Sequence, residues 1–304
     1  MQKTEKQDAC PSGKKLLPAG DAIKALALDL DGTTLRPDAV LSGPTIRTLR
    51  ACMDRGVEAI ICTGRSVGAA EPYRRAIGGR GPMVYFNGAV VTDPAGGEAL
   101  STILLDRDIA AGSVDIARKR GVHFQVFLRG SASGSGVGEC LMIEREDEET
   151  EFYRKRTGLN PVIGDIREAL STLPEQAPGQ PAAGCIKGLF IGEPPVLEEI
   201  RSALEEQYPG RFCLVRSHAT FLELMAAGVS KGQGLRLAME RRGLNPAAVF
   251  AFGDEENDLS LFGAAGYSAA PANAKAEIRE AADFVIGSNA EDGVAVFLTE
   301  IFRL

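Results

Sequence analysis

The sequence predicts an α/β fold: a doubly wound, Rossmann-like parallel-sheet core that carries an inserted α+β cap domain. Three observations support this expectation. Short apolar runs ending in polar turns alternate with helix-period stretches near the N-terminus, the same rhythm returns near the C-terminus, and a long region of different character separates them. At 304 residues the chain has room for two domains of the usual ~100 to 200 residues, and its 44% apolar content can fill a core in each. Its 35 glycines exceed the roughly 21 that average usage predicts, which suits a fold with many tight turns.

Residues 1–22 have lysines near both ends and no apolar stretch of signal-peptide length, so they read as a flexible leader. Residues 24–30, KALALDL, form an apolar run broken by Asp29 and ended by Asp31-Gly32, the pattern of a buried strand stopping at a turn. The next helix occupies 44–55, with Ile46, Leu49 and Met53 on one face and Gly56 as its stop. A second buried strand at 58–62, the turn Thr63-Gly64-Arg65, a helix at 66–77 and a third strand at 83–86 complete a βαβαβ unit, hence parallel strands with helices on both faces. Turn chemistry at Asn87-Gly88 and at 94–97 marks 90–104 as a hairpin leaving the sheet. Late in the chain come a helix at 231–242, a strand at 249–252, the turn Gly253-Asp254, a helix from Glu256, and short strands near Tyr267 and Phe284.

The core is therefore expected at 23–105 and 227–304, with the α+β cap at 106–226. Thr63 follows Asp31 by 32 residues, about one βα unit, whereas Lys231 follows Thr63 by 168, which leaves space for a domain only after the second turn. Within the insertion, 109–119 and 195–208 read as helices and 122–128, 139–144, 187–191 and 212–215 as strands. The Pro/Gly-rich 174–184 reads as a loop, and the acidic run 144–151 as a solvated turn. Gly134-Ser135-Gly136-Val137-Gly138 resembles a nucleotide loop, but Glu139 takes the third glycine position and no helix follows, so it reads as a hairpin turn.

Charge and cysteine usage exclude several classes. Thirty-four Lys plus Arg against 41 Asp plus Glu give a net −7 without a basic block, which argues against nucleic acid and anionic membrane as partners. No apolar stretch reaches the ~18 residues of a membrane span. The six cysteines form no CxxC or Cys/His cluster, and neither His123 nor His218 has a second ligand at zinc-site spacing; they read as reduced thiols in a cytoplasmic protein. Cys62 reads as a small apolar filler and His123 as a packed or hydrogen-bonded strand residue.

The remaining polar residues cluster at strand ends. Asp29 and Asp31 leave the end of the first strand together, into the crevice where open parallel sheets bind ligands. Two carboxylates this close resist joint ionisation unless a cation neutralises them. Asp254 follows a late strand, with Asn257 and Asp258 three and four residues on. If both halves share a sheet, Asp29, Asp31, Asp254 and Asp258 converge as hard oxygen ligands suited to Mg²⁺. Thr63 offers a hydroxyl and turn amides, while Lys231 stands beside the N-cap candidate Ser230 at a helix start that favours anions. A carboxylate nucleophile, Mg²⁺, a lysine and amide donors are what in-line phosphoryl transfer through an aspartyl-phosphate requires.

At these residues the chain resembles the haloacid dehalogenase (HAD) superfamily, in particular its Cof-type sugar-phosphate phosphatases. The matching segments are DLDGTTL at 29–35, TGR at 63–65, NGA at 87–89, GVSKG at 228–232, GDEEND at 253–258 and EDGV at 291–294. Each is weak alone; in the family's order, each at a strand end or helix start, they form a specific signal. The resemblance implies Asp29 as nucleophile and Mg²⁺ ligand, and Asp31 as general acid and base with its backbone carbonyl on the metal. It implies Thr63, Gly64 and Lys231 as phosphate holders, Asp254 as the third protein ligand of Mg²⁺, Asn257 and Asp258 as supports of the metal waters and Lys231, and Asn87 near the phosphate. Arg65 reads equally as a substrate contact or a structural ion pair. The expectation is a cytoplasmic phosphatase, monomer or homodimer, acting on a small phosphorylated metabolite. A phosphomutase or phosphotransferase, a receiver-type signalling domain and a phospho-ligand sensor are its rivals.

Overall fold

The computed structural model describes residues 15–92, 99–130, 139–174 and 183–304. The chain begins with β1 (Ala25–Leu28), α1 (Gly43–Asp54), β2 (Glu58–Ile61), α2 (Val67–Ile77), β3 (Met83–Tyr85), β4 (Val90–Thr92) and β5 (Ala99–Thr102). There follow α3 (Arg107–Arg120), β6 (His123–Arg129), β7 (Glu139–Ile143), α4 (Glu148–Thr157), β8 (Val162–Ile163), α5 (Ile166–Thr172), β9 (Gly184–Ile191), α6 (Pro194–Gln207), β10 (Phe212–His218) and β11 (Phe221–Ala226). The last part holds α7 (Lys231–Arg242), β12 (Val249–Phe252), α8 (Leu259–Phe262), β13 (Tyr267–Pro271), α9 (Ala276–Ala281), β14 (Phe284–Ile286) and α10 (Gly293–Phe302).

Both ends of the chain build one parallel sheet in the order β14-β13-β12-β1-β2, the α/β core expected. β1 and β12 are buried along their whole length, as strands covered by helices on both faces must be. Ser42, Ser66 and Ser230 cap α1, α2 and α7 by accepting the amides of Thr45, Ala69 and Gln233. Gly78 and Gly243 end α2 and α7 in the left-handed conformation.

The inserted region forms a six-stranded sheet, β10-β11-β9-β6-β7-β8. One face is covered by α3, α5 and α6, where Ile109, Val114, Leu170, Leu197 and Leu204 pack on Phe190, Leu222 and Leu224. The opposite face meets the core, with Phe127 edge-on to Phe86 at 5.0 Å between ring centroids. No helix among the described residues is long and apolar enough to cross a membrane.

One expectation is refined and one corrected. The third strand joins the parallel sheet only at its end, where Val84 forms a parallel bridge with Cys62 and its carbonyl accepts the Thr63 amide at 2.9 Å, while along its length β3 pairs antiparallel with β4. The cause is local. Phe86, Asn87 and Gly88 carry φ of 48°, 55° and 104°, a left-handed run that reverses the chain and sets Tyr85 opposite Val90. The hairpin beyond it is present as β4 and β5, although its tip at 94–97 lies outside the described residues. The acidic run is not a plain turn, because α4 starts inside it: Asp147 caps the helix at Thr150, Glu148, Glu149 and Glu151 occupy its first turn, and Arg154, Lys155 and Arg156 its last, each sign matched to the helix dipole. The segments 1–14, 134–138 and most of 174–184 lie outside the described residues.

Candidate active site

Strand register brings the acidic groups together. Leu28 lies opposite Phe252, so β1 and β12 release Asp29 and Gly253-Asp254 at the same sheet edge. Asp29 opens the turn Leu30–Thr34, closed by the Leu35 amide on the Leu30 carbonyl at 2.8 Å and by the Thr34 hydroxyl on the Asp29 carbonyl at 2.5 Å. Gly32 lies in that turn at φ +80°, and a Cβ there would collide with the Asp254 carboxylate. Glycine thus lets the two ends of the chain meet. Thr33 donates to Asp254 Oδ1 at 2.7 Å, and Asp258 Oδ2 accepts the amides of Asp254 and Glu255 at 3.0 and 3.1 Å. Lys231, at the start of α7, donates to Asp29 Oδ1 and Asp258 Oδ1, both at 2.6 Å.

One oxygen each from Asp29, Asp254 and Asp258 lies within 4.8 Å of the other two, and all three residues are buried. Burial pushes the Asp29 carboxyl well above its usual range; Lys231 opposes the rise, while Asp258 and Asp254 add to it. Asp254 is likewise raised, by burial first and Asp258 second. Lys231 remains charged, because Asp258 and Asp29 outweigh the burial that works against its proton. Three carboxylates facing one lysine leave net negative charge in a buried place, and such a set of hard oxygen donors fits a divalent cation.

Asp31 stands apart from that triad. Arg65 Nε and Nη2 donate to its two oxygens at 2.7 Å each, and Arg156 of α4 approaches to 3.4 Å. Burial raises the Asp31 carboxyl, but the Arg65 hydrogen bonds and the Arg65, Arg156 and Lys231 charges prevail and hold it below its usual value. Arg65 is therefore engaged in an ion pair, with its guanidinium over the Tyr73 ring at 5.1 Å. Thr63 takes the Arg65 amide on its hydroxyl at 3.1 Å. Asn87 lies beside Gly64, donating through Nδ2 to Glu223 at 2.6 Å and accepting on Oδ1 from Asn257 Nδ2 at 2.9 Å.

Asp29, Asp31, Thr63, Gly64, Arg65, Lys231, Asp254, Asn257 and Asp258 line one cavity, and Asn87 borders it through Asn257. The cap supplies a wall that sequence reasoning missed. Tyr153, Arg156 and Thr157 come from one face of α4, Lys187 from β9, Ser217 from β10, and Phe221 and Glu223 from β11. Their signals were present: helix spacing within 153–157, and alternation of Phe221, Glu223 and Met225 along a strand. His123 is hydrogen-bonded to Asp147 and Gln125 outside this cavity. Cys62 is buried, with its thiol pushed up by burial.

A family profile for haloacid dehalogenase-like hydrolases matches residues 26–298. The chain belongs to that family. It is 26% identical over 289 residues to the 5-amino-6-(5-phospho-D-ribitylamino)uracil phosphatase YwtE of Bacillus subtilis, covering 92% of this chain and 98% of the relative. Among solved structures, a haloacid dehalogenase-like hydrolase from Bacteroides thetaiotaomicron superposes with a TM-score of 0.79 at 24% identity, covering 92% of this chain and 100% of that one. The HAD subclass IIB sugar phosphatase BT4131 gives a TM-score of 0.74 at 20% identity, again over 92% and 100%. This HAD-like, Cof-type protein is a phosphoric monoester hydrolase. Phosphatases of the superfamily generally use a divalent metal, for which the buried acidic triad is a suitable holder.

Proposed function

We propose that this HAD-like hydrolase cleaves small phosphate monoesters, sugar and polyol phosphates foremost, with Mg²⁺ and through a phosphoryl group carried on Asp29. The observation that carries the reading is the lysine bridge: Lys231 joins Asp29 to Asp258 beside Asp254, in a cavity that also receives Thr63 and Gly64. Asp29 attacks phosphorus through a carboxylate oxygen while the ester oxygen departs in line, and Asp31, which must first take up a proton against the hold of Arg65, gives that proton to the departing oxygen. Asp31 then takes a proton from a water that attacks the phosphoryl-aspartate, which returns Asp29 and releases inorganic phosphate. Lys231 offsets the charge of Asp29 and of the transferring group, and Thr63 with the amides of its turn holds phosphate oxygens. Asp29, Asp254 and Asp258, with the backbone carbonyl of Asp31, would hold a divalent cation, which would supply the remaining positive charge. The cap wall closes the cavity on the side where the alcohol portion extends.

Relatives named for a phosphorylated ribityl compound and a neighbour titled a sugar phosphatase support that substrate class. The test is turnover of p-nitrophenyl phosphate. Asp29→Asn is expected to abolish phosphate release and EDTA to stop it reversibly; an Asp29→Asn enzyme at the wild-type rate would overturn the mechanism.

A further inference from the structure

We infer that Glu223 is a positioning residue that makes cap closure a condition for a correctly ordered catalytic turn at Asp254–Asp258; the inference rests on the phosphatase reading above. Lys187 and Glu223, on neighbouring cap strands, form an ion pair at 3.1 Å with side chains only 2% and 5% exposed. Two charges so buried lose more hydration than their attraction returns unless their other donors and acceptors are met. Here they are met across the boundary between cap and core. Lys187 Nζ donates to the Gly64 carbonyl at 2.9 Å, and Glu223 Oε2 accepts from Asn87 Nδ2 at 2.6 Å. Ser217 donates to Glu223 Oε1 at 2.9 Å. Lifting the cap exchanges the core contacts for water, so the pair binds the closed state without committing the protein to it.

The contact also sets a direction. An ionised carboxylate only accepts, so Asn87 must turn its NH₂ toward Glu223 and its carbonyl oxygen the other way. That oxygen accepts from Asn257 Nδ2 at 2.9 Å, so Asn257 in turn points its own amide oxygen away from Asn87. Among the described residues Asn257 Oδ1 is a buried acceptor without a hydrogen-bond partner, on the turn that carries Asp254 and Asp258. Glu223, Asn87 and Asn257 thus form a relay in which one cap carboxylate decides that the core presents an acceptor, rather than a donor, beside its acidic triad.

The relay predicts an unusual mutant pattern. Glu223→Gln keeps the shape but offers a donor, so Asn87 and Asn257 are free to turn over; kcat for p-nitrophenyl phosphate is expected to fall about 10- to 100-fold with KM little changed. Asn87→Asp sets two carboxylates face to face and is expected to lose as much. In the double variant Asn87→Asp/Glu223→Gln the glutamine donates to the new carboxylate, which still accepts from Asn257, and most of kcat returns. Any repaired contact between neighbours gives some rescue, so the relay requires in addition that kcat return without a change in KM and together with the order of the 253–258 turn beyond Asn257. Hydrogen exchange at 86–88 and 253–258 reads the relay without turnover: faster in each single variant, restored in the double. Wild-type kcat and exchange in Glu223→Gln, or a double variant no better than the poorer single one, would overturn the inference. Absence of phosphatase activity in the wild type would instead strike the function proposed above and leave the exchange test standing.

Discussion

The two walls of the cavity use charge in opposite ways. On the core wall Asp29, Asp254 and Asp258 face a single lysine, and the surplus stays negative and buried. On the cap wall Lys187 is matched by Glu223, while Arg156 reaches across to Asp31. An unbalanced cluster is a place for something to bind, because its own repulsion is relieved by a bound cation or by protons that the cation displaces. A balanced pair held within one sheet keeps its charges matched, and only its hydrogen bonds to Gly64 and Asn87 cross to the core. The core gathers unmatched charge, and the cap faces it with charge already matched.

The largest expected effect comes from worsening the imbalance. Lys231→Met leaves Asp29 and Asp258 without their shared donor, and kcat is expected to drop about 10²- to 10³-fold, as for the loss of one oriented electrostatic donor. Steady-state assays with saturating Mg²⁺ check it; a loss under tenfold would show that the lysine serves packing rather than charge. Next comes Gly32→Ala, which places a Cβ against Asp254 in a left-handed turn and is expected to cost roughly 1–2 kcal/mol of stability as well as divalent-ion affinity. Chemical unfolding with and without Mg²⁺ separates the two losses.

A smaller effect tests the link between the walls. Arg65 holds the Asp31 carboxyl below its usual value, so Asp31 stays ionised down to low pH. Removing the arginine lets burial dominate and raises it. In Arg65→Ala the acid limb of the pH–rate profile, where Asp31 is needed as base, therefore moves to higher pH, with the neutral-pH rate less affected than in Lys231→Met. An unmoved limb would show that Asp31 is not the group that titrates.

How much of this was legible depended on whether the chemistry was local. Asp29 with Asp31, Thr63 with Gly64, and Asp254 with Asp258 each sit in one short turn at a strand end, so spacing along the chain implied proximity in space. The cap residues have no such signature. Lys187 falls in the strand expected at 187–191, but Glu223 falls in a stretch for which no element is expected, and their meeting depends on β9 and β11 being neighbours. The turn at Asn87-Gly88 was legible from its residue types, but not its left-handed start at Phe86, because a bulky residue at positive φ is sterically unexpected. Helix α4 was hidden because its charges were read as solvation, although acids followed by bases is the order a helix dipole selects.

Calorimetric titration with Mg²⁺ in two buffers of different ionisation enthalpy tests the central claim most directly. Burial and mutual repulsion raise Asp29 and Asp254, so one ion is expected to bind with release of protons near neutral pH, and Asp254→Asn to abolish both binding and release. Absence of binding in the wild type, or equal binding in Asp254→Asn, would contradict a shared cation between the two ends of the chain.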